Sequence, residues 1–576
     1  MQKMVNSSNM KNLIVPTLIG VAIFLLFTGG RIVNPVNLDW IMAPGGDPIQ
    51  HYIGWNFFRH GPYFEFPLGL NPQYGEKIGS SVVFSDSIPV LAIFFKLIRG
   101  VLPINFQYFG LWIIACFVLQ AIFAWKILSL YTPEAKIKCI GCALLTLSPP
   151  MLWRLLGHEA LVGHWLLLAG LYLYLRRNTT TSNWAVLMCV SAVIHPYLLA
   201  MVAAIWVADV IRDFLSGEAV NRAILVEILC VTVSVGVVTW AAGYFAVKGV
   251  GSDGFGYYRF NITSPIHPLD IWSIWRKTPY VGGDYEGFSY PGAGIFVLAA
   301  LSVVLVVLRR RQINISWPRN GTLIALCVGF YLYALSNRIA FGGHEILQYS
   351  VPSALMPIVS TFRSTGRFIW PVVYAIEILL LFIVIALAPK KLAVPLLTVC
   401  LLFQATDLIP ASKYFRERWS HRWNNPLSSE FWADAGKQYK RVAFVLPLDG
   451  GDRYAPIAFM ASNAGMSING GYFARVDFDK LRKVEEELLG EVNASVYRHD
   501  TLYVFNTEKN WNVARSKFKG DGFLGLVDGF RVIAPDWKGC VKECNLRAER
   551  TENNSSNALI RRYLDTGRTS RDETRQ

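Results

Sequence analysis

Charge is scarce in this chain of 576 residues: Asp, Glu, Lys and Arg supply only 16%, while 53% is hydrophobic and 14% aromatic. Globular chains carry about a quarter charged residues, so the mean hydropathy of +0.35 excludes a disordered chain, a collagen or a coiled coil. No GxxxxGK[ST] sequence occurs, which leaves ATP-driven transport by this chain unsupported. The formal GxGxxG match at 249–254 follows an apolar run and has no βαβ context. Nine cysteines are too few for a framework of this length, and only Cys540 and Cys544, four apart in the polar tail, are placed for a local disulfide in an oxidising compartment.

Long apolar runs fill the space that charge leaves. Residues 228–247 contain no Asp, Glu, Lys or Arg and are long enough to cross a bilayer. Further runs fall near 13–28, 106–130, 137–152, 160–175, 184–195, 197–211, 292–308, 321–337, 368–388 and 392–409. The pattern predicts an α-helical polytopic membrane protein with about eleven transmembrane helices. The first run, preceded by Lys3 and Lys11, lacks a clean small-x-small cleavage site and reads as an uncleaved span.

The balance of 55 Lys+Arg against 40 Asp+Glu gives a net charge of +15. Every second loop is basic, with Lys136 and Lys138, Arg176 and Arg177, Arg212 and Arg222, the arginines at 309–311, and Lys390 and Lys391. The positive-inside rule accounts for that better than a nucleic-acid partner does, and it predicts attraction to anionic membrane lipids. It places the N-terminus in the cytoplasm and, with an odd number of spans, the C-terminus outside. External loops then occupy 30–105, 248–291 and 338–367, and a soluble α/β domain occupies 410–546. Strands are expected at 441–448, 501–505 and 530–534, with an amphipathic helix near 479–489. The stretch 547–576 is charged and poor in aromatics, as in disordered tails. The short apolar segment at 87–98 suits an interfacial or re-entrant helix.

Polar residues at the external ends of the spans are the candidates for chemistry. Asp47 stands between Gly45-Gly46 and Pro48, followed by His51, Tyr52, Trp55 and Phe58. A turn there presents a carboxylate able to act as general base, or one that caps the next helix. The aromatic stretch after it reads as a helix at the membrane surface. Asp86 is a second acid, either a cap or a partner for Asp47. Arg154, His158, Glu159 and His164 crowd one rim; the histidines are six apart, about 240° round a helix, which does not match a zinc motif. They fit an anionic headgroup site, or ordinary interfacial polar residues. His195-Pro196 either breaks a helix beside a cavity or forms a tight hairpin. Arg363 and Arg367, four apart with Ser364 and Thr365 between them, would share a helical face suited to a lipid phosphate or to a structural ion pair. Glu377, deep in the next span, must face the bundle or a cavity.

The Gly-Gly-Asp-Pro turn, the Gly-His-Glu and Gly-His-Trp rim, and Phe-Arg-Ser-Thr-Gly-Arg-Phe-Ile-Trp-Pro together resemble the GT-C class of integral-membrane glycosyltransferases over residues 1–409. Within that class the chain looks most like the Pseudomonas membrane proteins that add D-arabinofuranose to type IV pilins. The resemblance implies a bacterial inner-membrane enzyme that takes a sugar from a polyprenyl-phosphate donor. The acceptor would be a periplasmic protein such as a pilin, or a glycan. It implies that Arg363 and Arg367 hold the phosphate, helped by Arg154, His158 or His164, and that Asp47 deprotonates the acceptor hydroxyl for inverting displacement. Glu159, His51, Tyr52, Asp86 and His195 complete the implied substrate-binding set. Tyr52, Trp55 and Phe58 would shape a groove or anchor the interface. The common pattern has an acidic pair in the first loop where this chain has Asp47 alone, so a divalent cation stays open as the one cofactor to consider. A lipid-linked saccharide transporter or flippase is the rival reading, supported by Glu377 and broken helices; a scaffold of envelope assembly is a third.

Overall fold

The structure is a computed structural model that describes residues 2–176, 179–217, 221–248, 254–276, 278, 282–309, 317–448, 453–519 and 521–540. The predicted tail at 547–576, Cys544 and most of the 249–254 glycine motif lie outside the described residues. Each of the eleven apolar runs coincides with a helix, from Gln2–Thr28 and Phe109–Leu128 to Trp370–Leu387 and Lys390–Asp407. Length and hydropathy are a stricter filter than the runs themselves. Among the described residues four helical stretches pass it: Phe109–Leu128, Ala135–Leu156, Arg222–Ala242 and Thr365–Leu387. A fifth span results if Lys390–Asp407 and Ile409–Arg418, which meet at 41°, cross together. Leu13–Thr28, Ala293–Arg309 and Asn320–Ala334 are apolar but shorter.

The chain forms two compact units. Unit one gathers Met1–Trp40, Asn105–Trp240 and Val250–Arg422. Small residues let its helices close up: a Cβ on Gly110 would lie 1.7 Å from the Ile32 carbonyl oxygen, and one on Gly20 would lie 2.7 Å from that of Phe117. Polar side chains satisfy the helix ends. Asp407 accepts from the Ala293 amide at 2.8 Å and from the Tyr290 hydroxyl at 2.7 Å, while the Gln404 amide nitrogen donates to the Leu147 and Pro291 carbonyls. Two short antiparallel strands, β1 (Arg338–Phe341) and β2 (His344–Gln348), stand in the segment 338–367.

Unit two gathers Ile41–Ile104, Ala241–Gly249 and Trp423–Gln576, so residues 41–104 fold with the C-terminal domain. Its strands are β3 (Arg441–Phe444), β4 (Ser467–Ile468), β5 (Thr501–Phe505), β6 (Gly522–Val527) and β7 (Phe530–Pro535), in the order β4-β3-β5-β7-β6. The first three are parallel, linked through helices Tyr454–Asn463 and Phe478–Ala494; the last two form an antiparallel hairpin. The expected α/β domain is present, and the strand expected at 441–448 ends at Phe444.

The outer edge of β4 is covered by the first loop. Ile468 N donates to the Gln73 carbonyl, and the Gly75 and Glu76 amides donate back to Ile468 O, each at 2.9 Å. Helix Asp47–His60 packs on Tyr454–Asn463, with the Asn56 amide nitrogen 2.8 Å from Ser462 Oγ and 2.9 Å from Asn463 Oδ1. Tyr74 is buried between Phe57 and Phe473. Removing 41–104 would expose both a sheet edge and this aromatic face, the usual causes of edge-to-edge association. A fragment beginning at residue 423 is therefore expected to aggregate when made alone and to become soluble on co-expression with 41–104. Size-exclusion chromatography reads the outcome, and a monodisperse isolated fragment would refute it.

Candidate functional site

Asp47 opens helix Asp47–His60, but the cap position belongs to Gly46, at φ 70°, and no side chain closes the cap. Asp47 is half-buried in the first turn, with Pro48 fixing the backbone behind it. One turn on, and so on the same face, His51 places Nε2 3.9 Å from Asp86 Oδ2. Ser87 Oγ donates to the His51 carbonyl at 2.8 Å and lies 2.8 Å from Ser85 Oγ. Asp86 sits at φ 50°, in the left-handed region, with 28% of its side chain exposed. The structure therefore joins Asp86 to the Asp47 helix through His51. Burial, then the Asp86 charge, pushes the Tyr244 phenol up.

The helix itself corrects one expectation. It does not lie open at a membrane surface: every residue from Pro48 to Arg59 is buried, Tyr52, Trp55 and Phe58 included. Those rings are core. Tyr52 tilts against Phe459 at 6.2 Å, so neither interfacial anchoring nor a groove wall describes these three side chains.

In unit one the polar rim centres on a residue the sequence pattern did not single out. Glu286 lies in a 3-10 segment, Gly282–Gly287, and is 4% exposed. Its Oε2 accepts from Arg154 Nη1 and Arg367 Nε at 2.8 Å, and its Oε1 accepts from Arg367 Nη2 at 2.7 Å. His158 Nε2 stands 3.5 Å from Oε1. Burial alone would lift the Glu286 carboxyl, yet Arg367 and Arg154 beside it hold it well below the usual carboxylate range. A depressed carboxylate stabilises the fold above its unfolded-state pKa, and that contribution is lost as pH falls through the folded value. Acidification from neutral pH should therefore cost the wild type more thermal stability than Glu286→Gln. Equal losses would show that the cluster contributes no such linkage.

Arg363 and Arg367 do not share a helical face. The backbone leaves helix at Phe362 and re-enters a 3-10 turn only at Thr365–Ile369, so the two guanidiniums part. Arg367 turns to Glu286 with its guanidinium 4.6 Å from the Tyr197 ring; Arg363 lies over the Tyr258 ring at 5.3 Å. Arg154 is 1% exposed, 5.1 Å from the Trp370 ring, and its Nε and Nη2 have no hydrogen-bond partner among the described residues. Next to this cluster, Arg259 pairs with Asp284 at 3.0 Å and Glu345 at 2.7 Å, and Arg338 pairs with Glu345 at 2.8 Å.

The remaining candidates fall elsewhere. His195 caps helix Pro196–Ser216 through Nδ1, which accepts from Tyr197 N at 3.1 Å, as a tight hairpin requires. Glu159 is buried, and its carbonyl accepts from Trp112 Nε1 at 2.7 Å. His164 is buried, with Nδ1 2.9 Å from the Tyr374 hydroxyl, and Gln120 Nε2 donates to that hydroxyl at 3.0 Å. Glu377, one turn beyond Tyr374, is 1% exposed, and neither oxygen has a partner among the described residues. No group of three or more His, Cys, Asp or Glu suited to a metal ion occurs among the described residues. Cys540 is disulfide-bonded.

No curated protein matches the chain. Among solved structures it is similar to the archaeal oligosaccharyltransferase AglB from Archaeoglobus fulgidus, determined in complex with an inhibitory peptide and a dolichol-phosphate. That similarity has 12% identity and a TM-score of 0.39, covering 92% of this chain and 75% of the other. Residues 431–535 match the family model described as the DUF6311 C-terminal domain. With residues 17–409 matching the family model itself, the chain belongs to the family described as Domain of unknown function (DUF6311).

Proposed function

We propose that this protein is a membrane glycosyltransferase that moves a sugar from a polyprenyl-phosphate donor to an acceptor hydroxyl. The observation that carries the reading is Asp47: a half-buried acid in the first turn of a buried helix, with His51 one turn on and Asp86 beside His51. A carboxylate so held is suited to general-base work. Asp47 takes the proton of the acceptor hydroxyl, the oxygen attacks the anomeric carbon, and the bond from that carbon to the phosphate oxygen breaks. Lipid phosphate leaves with the electron pair, and the sugar is inverted. Taken by itself, the rim of unit one has Arg154 Nε and Nη2, which meet no acceptor among the described residues and are suited to a phosphate anion.

The finer reading is a bacterial inner-membrane enzyme with eleven spans, its N-terminus cytoplasmic and unit two periplasmic, transferring D-arabinofuranose to a pilin Ser or Thr. Intact mass of external proteins and glycans, from cells with and without the chain, tests it. A pentose-sized increment that needs the chain is the expected result. A hexose-sized increment would keep the transferase and replace the sugar; no increment with donor and acceptor present would overturn the proposal. Glu377 favours a second reading, since a buried carboxyl without a partner is typical of coupled carriers. In that case Glu377→Gln would alter flux of lipid-linked saccharide into vesicles with no change in acceptor mass.

A further inference from the structure

The segment 41–104 of unit two carries large apolar side chains that its own core leaves outside. Helix Pro89–Leu97 buries Pro89, Ala92 and Lys96 on one side. Val90, Phe94 and Leu97, at i, i+4 and i+7, share the other side and are exposed. Two further stretches add Phe64, Phe66, Val101 and Ile104, which are between 70% and 84% exposed. Single exposed apolar residues are ordinary, but a concentration of this kind marks an interaction surface.

The stretches are held in one frame. Arg59 donates to the carbonyls of Leu102, Pro103 and Ile104 at 3.2, 2.6 and 2.8 Å. Arg99 donates to the Arg59 carbonyl at 2.6 Å and to that of Gly61, and its guanidinium lies 3.7 Å from the centre of the Tyr63 ring. Lys96 Nζ stands 3.8 Å from the centre of the Phe58 ring. Of the other charged residues in 59–104, Glu76 and Lys77 face Arg441 and Glu487, and Asp86 faces His51. Arg59, Lys96 and Arg99 thus stand against Glu65. The carbonyls that hold the two guanidiniums are uncharged, so the apolar surface has an excess of positive charge beside it.

We propose that this surface seats unit two on the bilayer interface, with its apolar side chains at the headgroup–acyl boundary and its cations towards lipid phosphates. Two features favour lipid over a protein partner. Aromatic and aliphatic side chains flanked by Lys and Arg are the composition of interfacial anchors. Ile104 also stands five positions before Phe109, which begins a helix long and apolar enough to cross a membrane. Five positions of chain extend at most about 18 Å. Helix Pro89–Leu97 has nine residues and is about 13 Å long, against roughly 30 Å for a hydrocarbon core. Its inner side is buried in protein, so it lies along the interface and neither crosses nor re-enters. The seat does not depend on what the protein transfers.

Photolabelling of the full chain in phospholipid vesicles tests this. One preparation contains a phosphatidylcholine with a diazirine near the carbonyl end of an acyl chain; the other has the diazirine at the terminal methyl. Mass spectrometry maps the adducts after irradiation and digestion. Helix Arg222–Ala242 is the internal reference, since it is apolar and little of it is buried in the protein. Once normalised to that reference, the shallow probe should mark 61–66 and 89–104 at least about threefold more than the deep probe does. Absence of shallow adducts from both stretches, in a preparation whose reference is labelled, would overturn the proposal and leave the surface to a protein partner. Equal normalised labelling by the two probes would also overturn it, because 89–97 would then enter the hydrocarbon core.

Discussion

Asp47→Asn at matched membrane levels is expected to lower sugar transfer by about 10²- to 10⁴-fold, the range associated with a positioned general base. The substitution is nearly isosteric and spares the local fold. Gly46 holds the cap position without help from a side chain, and Pro48 still sets the backbone of the first turn. The loss should fall on kcat, since an amide retains the shape of the carboxylate but cannot accept the acceptor's proton. Asp86→Asn gives the graded comparison. Asp86 stands 3.9 Å from His51, so in the proposed mechanism it would be a positioning residue that acts through the histidine. Its substitution should reduce transfer less than Asp47→Asn and should shift the pH profile where the histidine contributes. Transfer that survives Asp47→Asn at wild-type rate would remove Asp47 as the base. A larger loss from Asp86→Asn would reverse the two roles.

The apolar helices were legible because an apolar helix is written locally: each of the eleven apolar runs falls on helix, with boundaries shifted by a few residues and the run at 137–152 divided between Ala135–Thr146 and Pro149–Trp153. Span length was less legible, because buried bundle helices and crossing helices are both apolar, and among the described residues four or five meet the length and hydropathy needed to cross. In unit two, β5 was found at its full extent, while the two-residue β4 carries too short a pattern to announce itself. The rings of helix Asp47–His60 were misplaced for a physical reason. An aromatic-rich helix at a membrane surface and one buried against another helix have the same composition, and only the partner Tyr454–Asn463, some 400 residues away, tells them apart. Glu286 escaped notice because its meaning is entirely non-local. Its partners are 132 and 81 residues distant. The available signal was a charge imbalance, with arginines in a loop that the expected orientation puts outside, where the positive-inside rule disfavours them, and two acids, Asp284 and Glu286, in a glycine-rich segment of another such loop. The helical-face reading of Arg363 and Arg367 assumed continuous α-helix, which the turn at Phe362 to Ser364 interrupts.

Arg367→Leu is expected to destabilise the protein by about 3–5 kcal/mol, the cost of breaking a buried ion pair from one side. Two of the hydrogen bonds to Glu286 come from Arg367, which grips both carboxylate oxygens; after the substitution a carboxylate that is 4% exposed keeps only Arg154 and the longer contact to His158. The stacking of Arg367 on Tyr197 is lost as well. The physics differs when the whole ionic group is removed. Desolvating two guanidiniums and a carboxylate costs nearly as much as their attraction returns, so an apolar set of similar volume is about as stable. The triple variant Arg154→Met, Glu286→Leu, Arg367→Leu should therefore recover most of the stability lost by the single change, while losing the capacity to bind a lipid phosphate. Unfolding titrations in mixed micelles would measure both. A single-variant loss below about 1 kcal/mol, typical of exposed pairs, would show that the cluster is solvated. A triple variant that is less stable than Arg367→Leu would show that the ion pairs hold unit one together, and that phosphate recognition is not what has kept them there.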